Sequence, residues 1–188
     1  MNETLGADGV ADILDFTMYP WGNAYYNTTE CATSVYDKPT GMYCWIKECN
    51  VENPPSDCFR GDIWCQHGDE ECAVDRTEGC VIVHFPEPAR YSVFMSCYEG
   101  SDSPDFDECA SQAGIDQSTS AAIKKCAAPG SVAGNAIEAA NAKATVALGD
   151  SKLGTPWVIV NGVQLENPDT LLETVCNAYK GPAPAGCP

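Results

Sequence analysis

Basic side chains are scarce in this sequence. Ten Lys and Arg stand against 27 Asp and Glu in 188 residues, a formal charge of −17. Such a chain cannot assemble the positive footprint that phosphate backbones need, which excludes nucleic acid as a partner. Long apolar runs are also missing. None approaches the ~18 residues of a membrane-spanning helix, so no membrane span is expected. Residues 1–12 hold Glu3, Asp8 and Asp12 but no Lys, no Arg and no apolar stretch, so they do not read as a secretion signal. Most telling, no two cysteines stand three positions apart. The Cys-x-x-Cys dithiol of thiol oxidoreductases is therefore absent from these residues.

What is abundant is cysteine itself. Cys31, Cys44, Cys49, Cys58, Cys65, Cys72, Cys80, Cys97, Cys109, Cys126, Cys176 and Cys187 make an even set of 12. That density belongs to an oxidising compartment, where each bridge stabilises by ~2–4 kcal/mol. Two glycosylation sequons, at Asn2 (Asn2-Glu3-Thr4) and Asn27 (Asn27-Thr28-Thr29), point the same way. A disulfide-rich chain without a secretion signal is expected to be a mature form or part of a longer product. The acidity fits an acidic destination, since many carboxylates become neutral around pH ~4–5 and self-repulsion eases there.

The 44% hydrophobic content suffices for a core, and the length suggests a single domain over 1–188. Ile13–Met18 reads as a short strand closed by Pro20 and Gly22. Residues 25–64 carry cysteines between Pro39, Gly41, Pro54, Pro55 and Gly61, which predicts a disulfide-stapled loop excursion without a long helix or sheet. Cys72–Tyr98 is ambiguous: Val81–Phe85 is β-branched by propensity, and Pro86 and Pro88 interrupt any long helix. Asp105–Ser111, a segment from Asp116 to about Cys126, and Ala136–Leu148 read as helices, with Asp116 as a cap. Asn161-Gly162 between Trp157–Val160 and Val163–Leu165 predicts a type I′ hairpin. Asn167 and Pro168 then open a final helix, with Leu171, Leu172, Val175, Cys176 and Tyr179 on one face. Strand, helices, hairpin and terminal helix amount to an α/β arrangement.

Between Cys65 and Cys80 the chain reads C-Q-H-G-D-E-E-C-A-V-D-R-T-E-G-C. A zinc site from Cys65, His67, Cys72 and Cys80 lacks the paired short spacings of zinc modules, and an oxidising compartment favours disulfides, so no metal is expected. His67 is read as a structural hydrogen-bonder in the turn, and His84 carries no functional signal. The segment resembles the signature of the gamma-interferon-inducible lysosomal thiol reductase (GILT) family, C-Q-H-G-x-x-E-C-x-x-N-x-x-x-x-C. Cys65, Gln66, His67, Gly68, Glu71, Cys72 and Cys80 match it, and Asp75 replaces its Asn. Tyr19-Pro20-Trp21-Gly22-Asn23-Ala24, Thr155-Pro156-Trp157-Val158 with Asn161-Gly162, and the closing Cys176 and Cys187-Pro188 are similar to further family pieces, in order.

The resemblance implies a thioredoxin-like α/β fold with a disulfide-rich helical insertion. Residues 13–24 and 150–180 would form the core, 25–64 the Cys-rich loop excursion, 65–80 the signature, and 81–149 the mainly helical insertion. It also implies reduction of disulfides in protein substrates in endosomes or lysosomes, without a cofactor, and a substrate groove at Thr155 and Pro156, the latter a family cis-proline. The family's Cys-x-x-Cys, whose first thiolate attacks a substrate disulfide while the second resolves the mixed disulfide, should precede Ile13. This chain is then expected to lack the first strand and the start of the first helix, to be inactive as written, and to fold poorly where neighbouring strands lose backbone partners.

Residues 31–58 carry four cysteines beyond the family pattern, which suggests two extra bridges. A substitute dithiol would need a depressed pKa, because an ordinary thiol is only about one part in ~3,000 ionised at pH ~5. Cys109 follows acidic residues, and Cys126 would sit at a helix C-terminus. Cys44 and Cys49, flanking Lys47, are the least unsuitable pair. The alternative reading is a non-catalytic secreted glycoprotein that keeps the GILT scaffold for binding.

Overall fold

The computed structural model describes residues 2–31, 38–100, 104–149 and 154–188, with the backbone alone for Asn2 and residues 38–40. Eight helices carry the described residues: α1 Asn2–Gly6, α2 Lys38–Cys49, α3 Asp69–His84, α4 Pro88–Tyr98, α5 Phe106–Ala113, α6 Gln117–Ala127, α7 Val132–Val146 and α8 Leu171–Ala178. Four two-residue strands pair as two antiparallel ladders: β1 Tyr25–Tyr26 with β2 Ile63–Trp64, and β3 Ile159–Val160 with β4 Val163–Gln164. The architecture is mixed, mainly helical and disulfide-rich.

The chain divides into two compact units. One comprises Tyr19–Cys80 and Ala122–Thr155. Its centre is aromatic: Trp21, Tyr25, Tyr26 and Trp45 are all at most 3% exposed. The Trp21 ring lies 5.4 Å from that of Tyr26 and 6.0 Å from that of Trp45, in the tilted geometry that aromatic pairs prefer. The Trp45 indole donates to the Cys58 carbonyl at 2.9 Å, which satisfies its buried N–H. Cys31–Cys44, Cys49–Cys58, Cys65–Cys72 and Cys80–Cys126 staple this unit. The first two are the extra bridges expected from residues 31–58.

The other unit comprises the residues up to Met18, Val81–Ala121 and Pro156–Pro188. Here α4 packs against α5 around Phe94, whose ring lies 5.0 Å from Tyr98 and 5.4 Å from Phe106. Cys97–Cys109 joins these two helices, and Cys176–Cys187 ties the tail to α8. Asp105 caps α5 by accepting from the Glu108 N–H at 3.0 Å. Asp116 caps α6 through the Ser118 and Thr119 N–H groups at 2.8 and 2.9 Å. Asn161 and Gly162 take positive φ (50° and 81°), as the type I′ turn between β3 and β4 requires.

Two expectations are corrected and one ambiguity is resolved. The excursion over 25–64 contains α2, a 12-residue helix. Pro39 falls in its first turn, where a missing N–H does no harm. Met42, Trp45, Ile46 and Cys49 recur at helical spacing and are all buried. Ile13–Met18 is not a strand: Ala11–Ile13 is a 3₁₀ turn, and Leu14–Met18 has no ladder partner among the described residues. The β-branched Val81–His84 run completes α3, because continuing the helix satisfies the backbone and buries Val81 completely.

Candidate functional site

The GILT-like signature becomes a loop leading into a helix. Gly68 adopts φ 97°, and its N–H donates to the Cys65 carbonyl at 3.2 Å, closing the turn that starts α3. Glu71, third residue of α3, reaches back to accept from the His67 backbone N–H at 2.6 Å, a capping-box device at an end that favours acidic side chains. The exposed His67 ring stands 3.4 Å from the same carboxylate. In the turn the hydrogen bond comes from the His67 backbone while its ring stays exposed, and His84 is exposed at the end of α3.

The Tyr19–Ala24 motif meets this loop. The Asn23 amide donates to Gln66 Oε1 at 2.8 Å. Gly22 takes φ 55°, and a Cβ there would stand 3.4 Å from Glu71 Oε1. From the other side, the buried Asn141 of α7 donates to the Pro20 carbonyl at 2.9 Å. Two motifs more than forty positions apart thus hold one another.

Cys65 and Cys72 are disulfide-bonded to each other, and Cys80 bridges to Cys126. The sulfur atoms of the supposed zinc set are committed to these two bonds. Cys44 bonds Cys31 and Cys49 bonds Cys58, so these two do not form a dithiol pair. No cysteine is free. Thr155 and Pro156 are exposed immediately before the hairpin, and the division between the two units falls at the bond joining them. Asn27 is exposed, with Thr29 held by Asp57 at 3.0 Å; the Asn2 side chain lies outside the described residues.

Two cavities adjoin the Cys65–Cys72 bridge. A small one is lined by Trp21, Ala24, Ile63, Cys65, Cys72, Asp75 and Glu138. A wider cleft of about 320 Å³ is lined by Tyr26, Phe59, Ile63, Asp69, Cys72 and Arg76, among others. Arg76 is the residue that sequence reasoning passed over. Its guanidinium bonds Glu138 Oε2 at 2.5 Å, Asn135 Oδ1 at 2.8 Å and the carbonyls of Ser131 and Ala128 at 3.1 and 3.3 Å. Gly134 makes room for it, since a Cβ there would lie 2.6 Å from Nη2. Burial pushes the Glu138 carboxyl above its usual range while Arg76 pulls it back. Burial, then the Glu138 charge, pushes the Tyr26 hydroxyl up. The sequence carried only a faint hint, one arginine inside an otherwise acidic signature.

Residues 42–113 match the family model described as gamma interferon inducible lysosomal thiol reductase (GILT). A Mus musculus gamma-interferon-inducible lysosomal thiol reductase is 26% identical over 172 residues, 92% of this chain and 57% of its own length. The chain is a relative of the GILT proteins. A Carassius auratus protein of the same name is 26% identical over 183 residues, 95% of this chain and 61% of its own. An Arabidopsis thaliana gamma-interferon-responsive lysosomal thiol protein is 28% identical over 123 residues, 63% of this chain and 50% of its own. This GILT relative therefore spans about half to three fifths of the length of these curated relatives. Its signature residues lie inside the matched stretch, while Tyr19–Ala24 and Thr155–Pro156 lie outside it.

Proposed function

We propose that this chain carries the scaffold of a GILT-type thiol oxidoreductase of thioredoxin-like fold, and that residues 1–188 alone do not reduce disulfides. The observation that carries this reading is the match over the signature together with the state of the cysteines: all 12 are bridged and no Cys-x-x-Cys is present. Dithiol reduction needs one thiolate to attack and a second to resolve, and neither is free while all 12 cysteines are bridged. The residues that would frame the reaction are Thr155 and Pro156, as a groove for an extended, disulfide-bonded protein substrate. The hairpin that follows them, with its Asn161-Gly162 turn, supports the thioredoxin-like assignment. The destination we assign is an acidic, oxidising compartment of the secretory route, on the strength of the six bridges and the charge of −17. We also assign glycan attachment to Asn27, and to Asn2 from its sequon alone.

The test is insulin reduction at pH ~5 with dithiothreitol as reductant. Residues 1–188 should add nothing to the rate given by dithiothreitol alone, and acceleration would overturn the inactivity. Photo-cross-linking to oxidised insulin from positions 155 and 156 tests the groove. A second reading, a binding protein built on the same scaffold, is favoured by the complete bridging of the cysteines. It gains if insulin cross-links elsewhere and not at 155 or 156.

A further inference from the structure

The disulfide of the signature lines two cavities, and it shares with Cys31–Cys44 and Cys97–Cys109 the pairing of a buried with a half-buried cysteine. Cys65 is 3% exposed, whereas Cys72 is half-buried. Among the described residues, these are the two cysteines that line the cavities, and Cys72 lines both. The wall of the small cavity includes Trp21, only 2% exposed, whose indole N–H has no acceptor among the described residues. A buried donor without a partner is uncommon and calls for a physical account. A disulfide sulfur is a poor acceptor; a thiolate is a strong one. An unpartnered donor and this bridge therefore share one cavity wall.

From this geometry we propose that Cys65–Cys72 is an exchange site for an external dithiol, which enters by the cleft and attacks Cys72. In the first step the incoming thiolate bonds to Cys72 Sγ, the Sγ–Sγ bond breaks, and its electron pair leaves on Cys65 as a thiolate in the cavity wall that Cys65 shares with Trp21. In the second step the partner's other thiolate attacks its own sulfur in the mixed disulfide and expels Cys72 as a thiolate. The dithiol becomes a disulfide, Cys65 and Cys72 become thiols, and the two protons of the dithiol end on them. The polarity follows from access and leaving-group stability: the reachable sulfur is attacked, and the buried one departs in a wall that also holds a donor. Cys72 lies in the first turn of α3, where the helix end favours its thiolate while Asp69, Glu70 and Glu71 of the same turn oppose it. Once protonated, its S–H has an acceptor in the Ile63 carbonyl, 3.9 Å from Sγ. Asp75 and Glu138 in the same wall act against an anion, and Arg76 offsets the second of them.

This site is independent of the function proposed above, because it concerns one stoichiometric opening and is read without insulin turnover. Limiting dithiothreitol on the folded 1–188 chain, followed by alkylation and mass mapping, tests it. Cys65 and Cys72 should be labelled well before Cys80 and Cys126, which are 0% and 4% exposed. Simultaneous labelling of both bridges would overturn the proposal. Trp21→Phe should slow the opening by about tenfold, because the leaving thiolate loses its donor. A merely structural role for Trp21 gives the opposite sign, since loosening the core would speed opening, and that result would also overturn it. Single-cysteine variants keep the test sharp if Trp21→Phe fails to fold. Cys65→Ser leaves Cys72 facing the cleft and should react with oxidised glutathione at least about tenfold faster than Cys72→Ser, where Cys65 stays buried. Equal rates would refute the assigned direction of attack.

Discussion

The two units secure their cores by different means. Tyr19–Cys80 with Ala122–Thr155 contains four bridges, a cluster of three large aromatic rings around Trp45 and the Arg76–Glu138 pair. The other unit contains two bridges and relies on capped helices around Phe94. Asp75 and Glu138 line the cavity beside Cys65–Cys72 in the first of these.

The contrast can be broken or sharpened by substitution. Trp45→Ala and Phe94→Ala should each remove about 4–5 kcal/mol, as expected for fully buried aromatic side chains. Hydrogen exchange should show each loss confined to its own unit; protection lost throughout in both variants would erase the distinction. Cys80→Ser with Cys126→Ser opens a 46-residue separation and should cost about 4 kcal/mol by loop entropy. Cys97→Ser with Cys109→Ser, separated by 12, should cost about 3 kcal/mol in urea titrations. Arg76→Ala leaves Glu138 buried without its cation and should lose about 3 kcal/mol, low in the range for broken buried pairs because both side chains keep some exposure. Asp105→Ala removes only a cap and should cost about 1 kcal/mol.

The smallest effects are on pH dependence, and their signs differ. Hydrogen bonds from Ser118 and Thr119 hold the Asp116 carboxyl below its ordinary 3.8. Its contribution is therefore present above pH 3.8 and lost as pH falls further. Glu138 is raised above its ordinary 4.5, so its contribution is full below that value and lost as pH rises past it. Urea midpoints measured across pH ~3 to 6 should flatten at the acid end in Asp116→Asn. An unchanged acid limb would remove Asp116 from the account.

Local chemistry was legible in the sequence wherever it was decided by neighbours. Asp116 and Asn167 as caps, Asn161-Gly162 as the hairpin turn, and α5 and α6 needed only short-range hydrogen bonding and turn geometry. Helix α2 was obscured by Pro39 and Gly41, although its buried face repeats at helical spacing. Ile13–Met18 looked like a strand because propensity cannot supply the partner that a strand requires. Within the site, Gln66, His67 and Glu71 were visible from their motif, but the Asn23–Gln66 bond and the Arg76–Glu138 pair join residues 43 and 62 positions apart. Such pairings are decided by folding and leave no local pattern.

The Cys80–Cys126 bond has a topological consequence. The two stretches of the aromatic unit end at Cys80 and resume at Ala122, and the bond closes that gap. A protease that cuts between Val81 and Ala121 would not separate the two stretches: they would remain one covalent piece until the bond was reduced. The other unit, made of three stretches, has no bond from one stretch to another, because Cys97–Cys109 and Cys176–Cys187 each close within a single stretch. A single cut between Val81 and Ala121 therefore leaves the whole chain covalently joined, whereas one between Ala127 and Thr155 detaches the last stretch of the other unit, making resistance to cleavage a property of where the chain crosses and not of how tightly it packs.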